Sequence, residues 1–155
     1  MNTALRGIVL FIAQGAFAGR SPVAPGTAGT VIGVLLYSGM KNLAPGAYLS
    51  FTVLICLLGI WAAGRAEKLL GCVDCPSIVI DEIAGYLVAM CLLPSSWQFM
   101  AAGFVLFRAF DILKPWPLKR LQDLHGGAGV MLDDIGAGAY TNIVLQAAAV
   151  MVHQQ

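Results

Sequence analysis

The chain has 155 residues, which is enough for one domain rather than two. Hydrophobic residues make up 59% of it and charged residues only 11%, whereas soluble domains average roughly 25% charged residues. The net charge is +1 and no basic run occurs, which argues against a nucleic-acid partner. The composition therefore predicts a protein of the membrane bilayer, with a soluble helix-rich oligomer as the alternative.

Six apolar segments follow one another, separated by polar, proline-rich or glycine-rich stretches. Each predicts a helix, because Ala, Leu, Gly and Met are frequent and period-two alternation is not sustained. Their ranges are 4–18, 28–40, 43–64, 78–93, 97–113 and 130–152. Segment 43–64 has the roughly 20 residues needed to cross a bilayer, whereas 28–40 and 78–93 are short and predict half-buried or tilted pieces. The expected fold class is all-α, a compact polytopic membrane bundle with short or broken helices.

The loop 20–27 has the sequence RSPVAPGT and follows the first apolar segment. Arg20-Ser21-Pro22 does not resemble a signal-peptide cleavage site. Pro22 and Pro25 remove amide donors, so no regular helix is expected over this loop. When each later segment crosses the membrane in turn, all acidic residues fall on the side of this loop, together with most Lys and Arg residues. The positive-inside rule makes that side cytoplasmic.

Acidic residues in or beside apolar stretches are the strongest functional signal. A carboxylate next to hydrocarbon is costly unless it has a partner, a metal ion or a water-filled pocket. We therefore predict that five of them share a divalent-cation site: Asp81, Glu82, Asp111, Asp133 and Asp134. For the first two, helix capping and the helix dipole are the structural alternative.

Basic residues near these acids predict a phosphate site. Arg108, Asp111 and Lys114 are spaced three apart near the end of a helix, so their side chains lie close together. Arg offers a planar fork for phosphate oxygens and Lys a point charge. The structural alternative is a salt bridge that shields Arg108 and Asp111 from lipid.

Two flexible loops add candidate phosphate ligands. In the stretch HGGAG, Gly126 and Gly127 allow backbone amides to approach an anion, and His125 is a candidate proton carrier. In the 20–27 loop, Arg20 and Thr27 are the candidates. Two aspartates follow the HGGAG stretch and would oppose an anion unless a cation such as Mg²⁺ lies between them.

The four cysteines do not indicate a specific function. Cys72 and Cys75 form a CxxC pattern without a second pair or a neighbouring His, so a redox or zinc role is not favoured. Cys56 and Cys91 lie in apolar segments and are expected to be packing residues.

Four stretches, taken together, resemble the bacterial phosphatidylglycerophosphatase A family. In chain order they are SPVAPGTAGT (21–30), IVIDEIAGY (78–86), GFVLFRAFDILKPWP (103–117) and HGGAGVMLDDIGAG (125–138). They span most of a motif-bearing core, 20–140, and leave 1–19 as an N-terminal apolar segment of a single helical domain, 1–155.

The resemblance implies a Mg²⁺-dependent phosphatase of the cytoplasmic membrane that converts phosphatidylglycerophosphate to phosphatidylglycerol and inorganic phosphate. The five acids named above fall on the family's acidic positions, and Arg108, Lys114 and His125 match its motifs. A metal-activated water is then the expected nucleophile. A covalent aspartyl-phosphate is the alternative, although no DxDx pattern occurs, and the lack of a Cys-x5-Arg loop argues against a cysteine phosphatase.

Other functions remain open at this point. Intramembrane acids also line divalent-cation transporters, although here they gather on one face. A lipid phosphotransferase would pair Mg²⁺ with membrane aspartates, but its DGxxAR…GxxxDxxxD arrangement is missing. A structural subunit or a degenerate relative is the fourth alternative.

Overall fold

The computed structural model describes residues 2–153, with the backbone alone at the last two of these. No strand occurs in this range, so the predicted all-α class is confirmed. The seven α-helices of the described range are α1 (Thr3–Ala13), α2 (Pro25–Met40), α3 (Pro45–Leu70), α4 (Ile80–Ala89), α5 (Trp97–Leu113), α6 (Leu118–Gln122) and α7 (Gly127–His153). A 3₁₀ turn, Ala18–Arg20, lies between α1 and α2.

The short helix α4 lies at the centre of the bundle, in contact with α2, α3, α5 and α7. Eight of its ten residues are buried. At 1.5 Å per residue it extends about 15 Å, half of the roughly 30 Å hydrocarbon core of a bilayer. The helix expected over 78–93 is therefore shorter than predicted, and α4 is too short to cross a membrane alone.

Side chains of α7 explain why α4 ends before Pro94. The Asn142 side-chain amide donates to the carbonyl oxygens of Ala89 at 2.9 Å and Cys91 at 2.7 Å, and Gln146 donates to Cys91 at 3.2 Å. These bonds satisfy carbonyls that a helix end leaves without partners. The end of α4 is thus fixed by tertiary contacts and not by the proline.

Other helix ends follow from local chemistry. Helix α5 has the predicted bounds, because the Ser96 hydroxyl caps its start and Lys114, at φ 43° before a proline, ends it. Helix α2 begins at Pro25, three residues earlier than predicted, because proline suits the first helical position. The exclusion of helix over all of 20–27 is therefore wrong for its last residues. The short helix α6 lies in the stretch between the predicted segments 97–113 and 130–152.

Helices α4 and α7 pack backbone against backbone at two glycines. A Cβ on Gly85 would lie 2.7 Å from the carbonyl oxygen of Asp134, and a Cβ on Gly138 would overlap the carbonyl oxygen of Gly85. Each glycine lies four residues after an acid, Asp81 or Asp134, and therefore on the same helix face. The close contact thus lies one turn from these acids.

Helix α3 is the membrane-capable element. Among residues 2–153 it alone is both long and apolar enough to cross a bilayer. Only 28% of its most apolar stretch is buried inside the protein. This finding supports membrane association, while the polytopic bundle stays a prediction.

We predict that Gly138→Ala destabilises the fold by about 1–3 kcal/mol, because the added methyl group must push α7 away from α4. Gly39→Ala is the matched control: Gly39 is exposed in α2 and a Cβ there has no atom within 4 Å. It should be neutral or stabilising by up to about 1 kcal/mol. Thermal unfolding in detergent measures both, and equal melting temperatures for the two variants would contradict the packing argument.

Candidate active site

Three carboxylates from two helices meet at one end of the bundle. Asp81 and Glu82 lie in the first turn of α4, and Asp134 lies near the beginning of α7. Each offers an oxygen within 4.8 Å of the others. Asp81 is 8% exposed and Asp134 3% exposed. We call these three residues the acid cluster.

The acid cluster fits a divalent cation. Asp81 Oδ1, Glu82 Oε2 and Asp134 Oδ2 are buried and have no hydrogen-bond partner among the described residues. Buried polar atoms are otherwise nearly always paired. Hard cations take several carboxylate oxygens at once, which is what this arrangement offers.

Arg108 connects α5 to the acid cluster. Its Nη1 donates to Asp111 Oδ2 at 2.5 Å and lies 3.7 Å from Glu82 Oε1. Asp111 in turn lies beside Asp134. The salt bridge offered as a structural alternative is therefore present, and it also holds the guanidinium at the edge of the acid cluster.

The Asp133 side chain lies outside the acid cluster, because it and Asp134 are neighbours on a helix and therefore point about 100° apart. It accepts a hydrogen bond from Lys114, the residue that ends α5. Burial acts to lower the pKa of Lys114, but the hydrogen bond and charge of Asp133 and the charges of Asp134 and Asp111 raise it overall. Lys114 is therefore a cation held among the acids.

The first turn of α2 faces the same place. A Cβ on Gly26 would lie 3.1 Å and 3.2 Å from the two terminal nitrogens of Arg108 and would overlap Glu82 Oε1. Thr27, the next residue, is half-buried. The first amides of a helix have no partner inside it, and together with the helix dipole they favour an anion. A helix start of the kind that favours anions thus lies next to Arg108 and the acid cluster.

The glycine-rich loop before α7 is arranged differently. His125 is exposed there, and Gly126 has a φ of 70°. A Cβ on Gly127 would overlap the carbonyl oxygen of Ile60 and lie 2.7 Å from the nitrogen of Gly64. The packing of α7 on α3 therefore requires a glycine at position 127, and phosphate contacts of this loop stay a prediction.

Gln14 is a buried residue that the motifs do not include. It is 4% exposed, accepts a hydrogen bond from Arg20 Nε at 2.8 Å and donates to Ser77 Oγ at 3.4 Å. The Arg20 guanidinium also lies 4.3 Å from the ring centre of Phe17. Gln14 thus ties Arg20 to the loop that leads into α4. A lone amide inside an apolar segment is the sequence signal that points to it.

The CxxC sequence lies in the loop between α3 and α4. Cys72 and Cys75 form a disulfide there, with Cα atoms 5.6 Å apart, although the sequence did not favour a redox role. Hydrogen bonds from the Asp74 amide to Glu67 and from Gln122 to Asp74 connect this loop to α3 and α6.

Comparisons with known proteins agree with these motifs. A phosphatidylglycerophosphatase A of Haemophilus influenzae is 41% identical over 142 residues, covering 86% of this chain and 84% of its own. One of Escherichia coli is 37% identical over 136 residues, covering 86% and 79%. A Bacteroides thetaiotaomicron protein, provisionally named a phosphatidylinositol-3-phosphatase, is 35% identical over 147 residues, covering 90% and 92%.

No solved structure matches the chain significantly. The family model described as phosphatidylglycerophosphatase A matches residues 11–149, a range that contains the acid cluster, Arg108, Lys114 and the start of α2. The chain therefore belongs to the phosphatidylglycerophosphatase A family, and it is a phosphatase.

Proposed function

We propose that this chain is a Mg²⁺-dependent phosphatidylglycerophosphatase. It removes the terminal phosphate of phosphatidylglycerophosphate and yields phosphatidylglycerol and inorganic phosphate in glycerophospholipid biosynthesis. The observation that carries the proposal is the acid cluster beside Arg108: each of its residues offers an oxygen within 4.8 Å of the others, and each has a buried oxygen without a hydrogen-bond partner among the described residues. The names of the Haemophilus influenzae and Escherichia coli relatives support the substrate.

In this proposal Asp81, Glu82 and Asp134 hold the cation, while Asp111 and Asp133 hold Arg108 and Lys114 beside it. Mg²⁺ suits the site, because it is bound through a few carboxylates together with phosphate oxygens. When bound, it neutralises charge on the phosphoryl group and makes water more acidic.

The remaining residues position the phosphate. Arg108, Lys114 and Arg20 donate to phosphoryl oxygens, together with the first-turn amides at Thr27 and those of the Gly126–Gly127 loop. The oxygen of a water molecule forms a bond to phosphorus while the ester P–O bond breaks, and the glycerol oxygen takes a proton and leaves as an alcohol. Positioning and charge stabilisation supply most of the rate in such reactions. His125, at the exposed rim, exchanges protons with solvent.

We place the protein in the bacterial inner membrane as a multi-pass protein with its site at the cytoplasmic surface. Exposed apolar side chains on α3 support this placement; Leu49, Phe51 and Leu57 are each at least half exposed. An apolar surface of this extent favours contact with lipid. The substrate's headgroup lies at the membrane surface, where the charged helix ends would meet it.

Purified protein should release inorganic phosphate from phosphatidylglycerophosphate with Mg²⁺, and EDTA should abolish the release. Phosphatidylinositol 3-phosphate and phosphatidic acid should be poorer substrates, because the proposal commits to the glycerophosphate headgroup. A preference for phosphatidylinositol 3-phosphate would reassign the substrate, and unchanged turnover in EDTA would reject the metal. Release of CMP would instead support a lipid phosphotransferase, and cation uptake by reconstituted vesicles would support a divalent-cation transporter.

Asp81→Asn and Asp134→Asn should each lower phosphate release at least about 100-fold, because each removes a cation ligand. In EDTA both variants should melt at a higher temperature than the unmodified protein, since repulsion among buried carboxylates is relieved. Added Mg²⁺ should stabilise the unmodified protein more than either variant. Asp123→Asn, an exposed position outside the acid cluster, is the control. Full activity in both cluster variants would rule out the acid cluster as the cation site of the reaction.

Gln14→Leu should raise KM about tenfold with a smaller change in kcat, because Arg20 loses the partner that orients it. Arg20→Gln should do the same, and the double variant should be no worse than Arg20→Gln alone. Such a double-mutant cycle separates positioning through Arg20 from a general structural role. Strictly additive effects of the two substitutions on KM would count against positioning through Arg20.

A further inference from the structure

An apolar groove of about 460 Å³ lies on the outside of the bundle between α2 and α5. Its floor consists of half-buried side chains that pack on the core, Val34, Met100 and Phe104. Its rims consist of exposed side chains, Val31, Leu35 and Val105. Its surface is formed by apolar atoms, so the groove is suited to a hydrocarbon ligand.

The groove begins at the candidate phosphate site. Phe104 lies one helical turn before Arg108 on α5, and Val31 lies little more than one turn after Gly26 on α2. Gly26 and Arg108 are in contact where these two helices meet the acid cluster. The same pair of helices therefore carries the candidate phosphate site at one end and the apolar groove directly beyond it.

The distance from Arg108 to the far end of the groove matches one leaflet of a bilayer. Trp97, at the far end, precedes Arg108 by eleven residues, which is about 16 Å along a helix. One leaflet of the hydrocarbon core is about 15 Å thick. A ligand with an anionic head at Arg108 and an extended hydrocarbon tail in the groove therefore has the dimensions of a membrane lipid.

We propose that this groove binds one acyl chain of the lipid phosphate substrate while its phosphate lies at Arg108 and the first turn of α2. The assignment rests on the proposed function for the headgroup and adds a subsite for the tail. Contacts with a part of the substrate that does not react hold the phosphate in the orientation needed for hydrolysis.

Ala101→Phe tests the subsite, because Ala101 is exposed and lines the groove, and a phenyl ring there fills it. We expect kcat/KM for dioleoyl phosphatidylglycerophosphate to fall about tenfold or more. The value for the deacylated headgroup, glycerophosphoglycerophosphate, should not change. Ala147→Phe, the same substitution at an exposed alanine of α7 outside the groove, should leave both values unchanged. Equal losses on the two substrates, or no difference between the two variants, would overturn the proposal.

A binding measurement separates this subsite from the proposed reaction. Phosphatidic acid with a diazirine on its acyl chain should label residues 31–35 and 97–105, and Ala101→Phe should reduce the labelling. Phosphatidylcholine with the same diazirine should label them at least about tenfold less; equal labelling would mean that any bilayer lipid occupies the groove, and the subsite would be rejected. Selective labelling by a protein that releases no phosphate would retain the groove and reject the proposed reaction.

Discussion

The site depends on how closely α4 and α7 approach each other. At Gly85 and Gly138 no side chain separates the two helices, and the backbone of each lies against the other. Asp81 and Asp134 lie one turn before these glycines on the contacting faces, so their carboxylates are forced together whether or not a cation is present. Since α4 is held on its other sides by α2, α3 and α5, it cannot move away to relieve the repulsion.

Without a cation, this close arrangement of buried carboxylates is destabilising. Two basic residues, Arg108 and Lys114, pair with Asp111 and Asp133, and Glu82 shares Arg108. Asp81 and Asp134 are left without a basic partner among the described residues. Burying unpaired charges costs several kcal/mol per ion, even after relaxation. A divalent cation would offset most of that charge, and its binding would then stabilise the fold. In the proposed function the acid cluster is therefore destabilising by itself and is stabilised by its ligands.

The sequence predicted the helical class and both ends of α5, because each of these depends on local chemistry. It also singled out the acids as costly beside hydrocarbon, but which of them meet depends on how α4 and α7 pack. An apolar segment predicts a helix from its own residues. The serine cap and the lysine before a proline affect only the helix end a few residues away. The end of α4 was not predictable, because the amide that caps it belongs to Asn142, far away in the chain. Gly127 was predicted to contact phosphate from the flexibility of its loop, and that stays a prediction. The packing of α7 on α3, which also requires a glycine there, was not visible in the sequence because Ile60 and Gly64 are far away in the chain.

The depth of the site in the proposed membrane orientation follows from residues around the end of α5. Trp116 is 73% exposed, its carbonyl accepts a hydrogen bond from the Tyr140 hydroxyl, and the Arg120 guanidinium lies 5.8 Å from its ring centre. An exposed indole beside an arginine is typical of the membrane–water interface. Lys114 is two residues away, so the charged groups lie at headgroup level. A phosphate on a lipid headgroup would then meet them while its acyl chains stay at the depth of the leaflet, one of them in the proposed groove. In this orientation the protein would need no deep pocket, because the bilayer would deliver the substrate at the correct height.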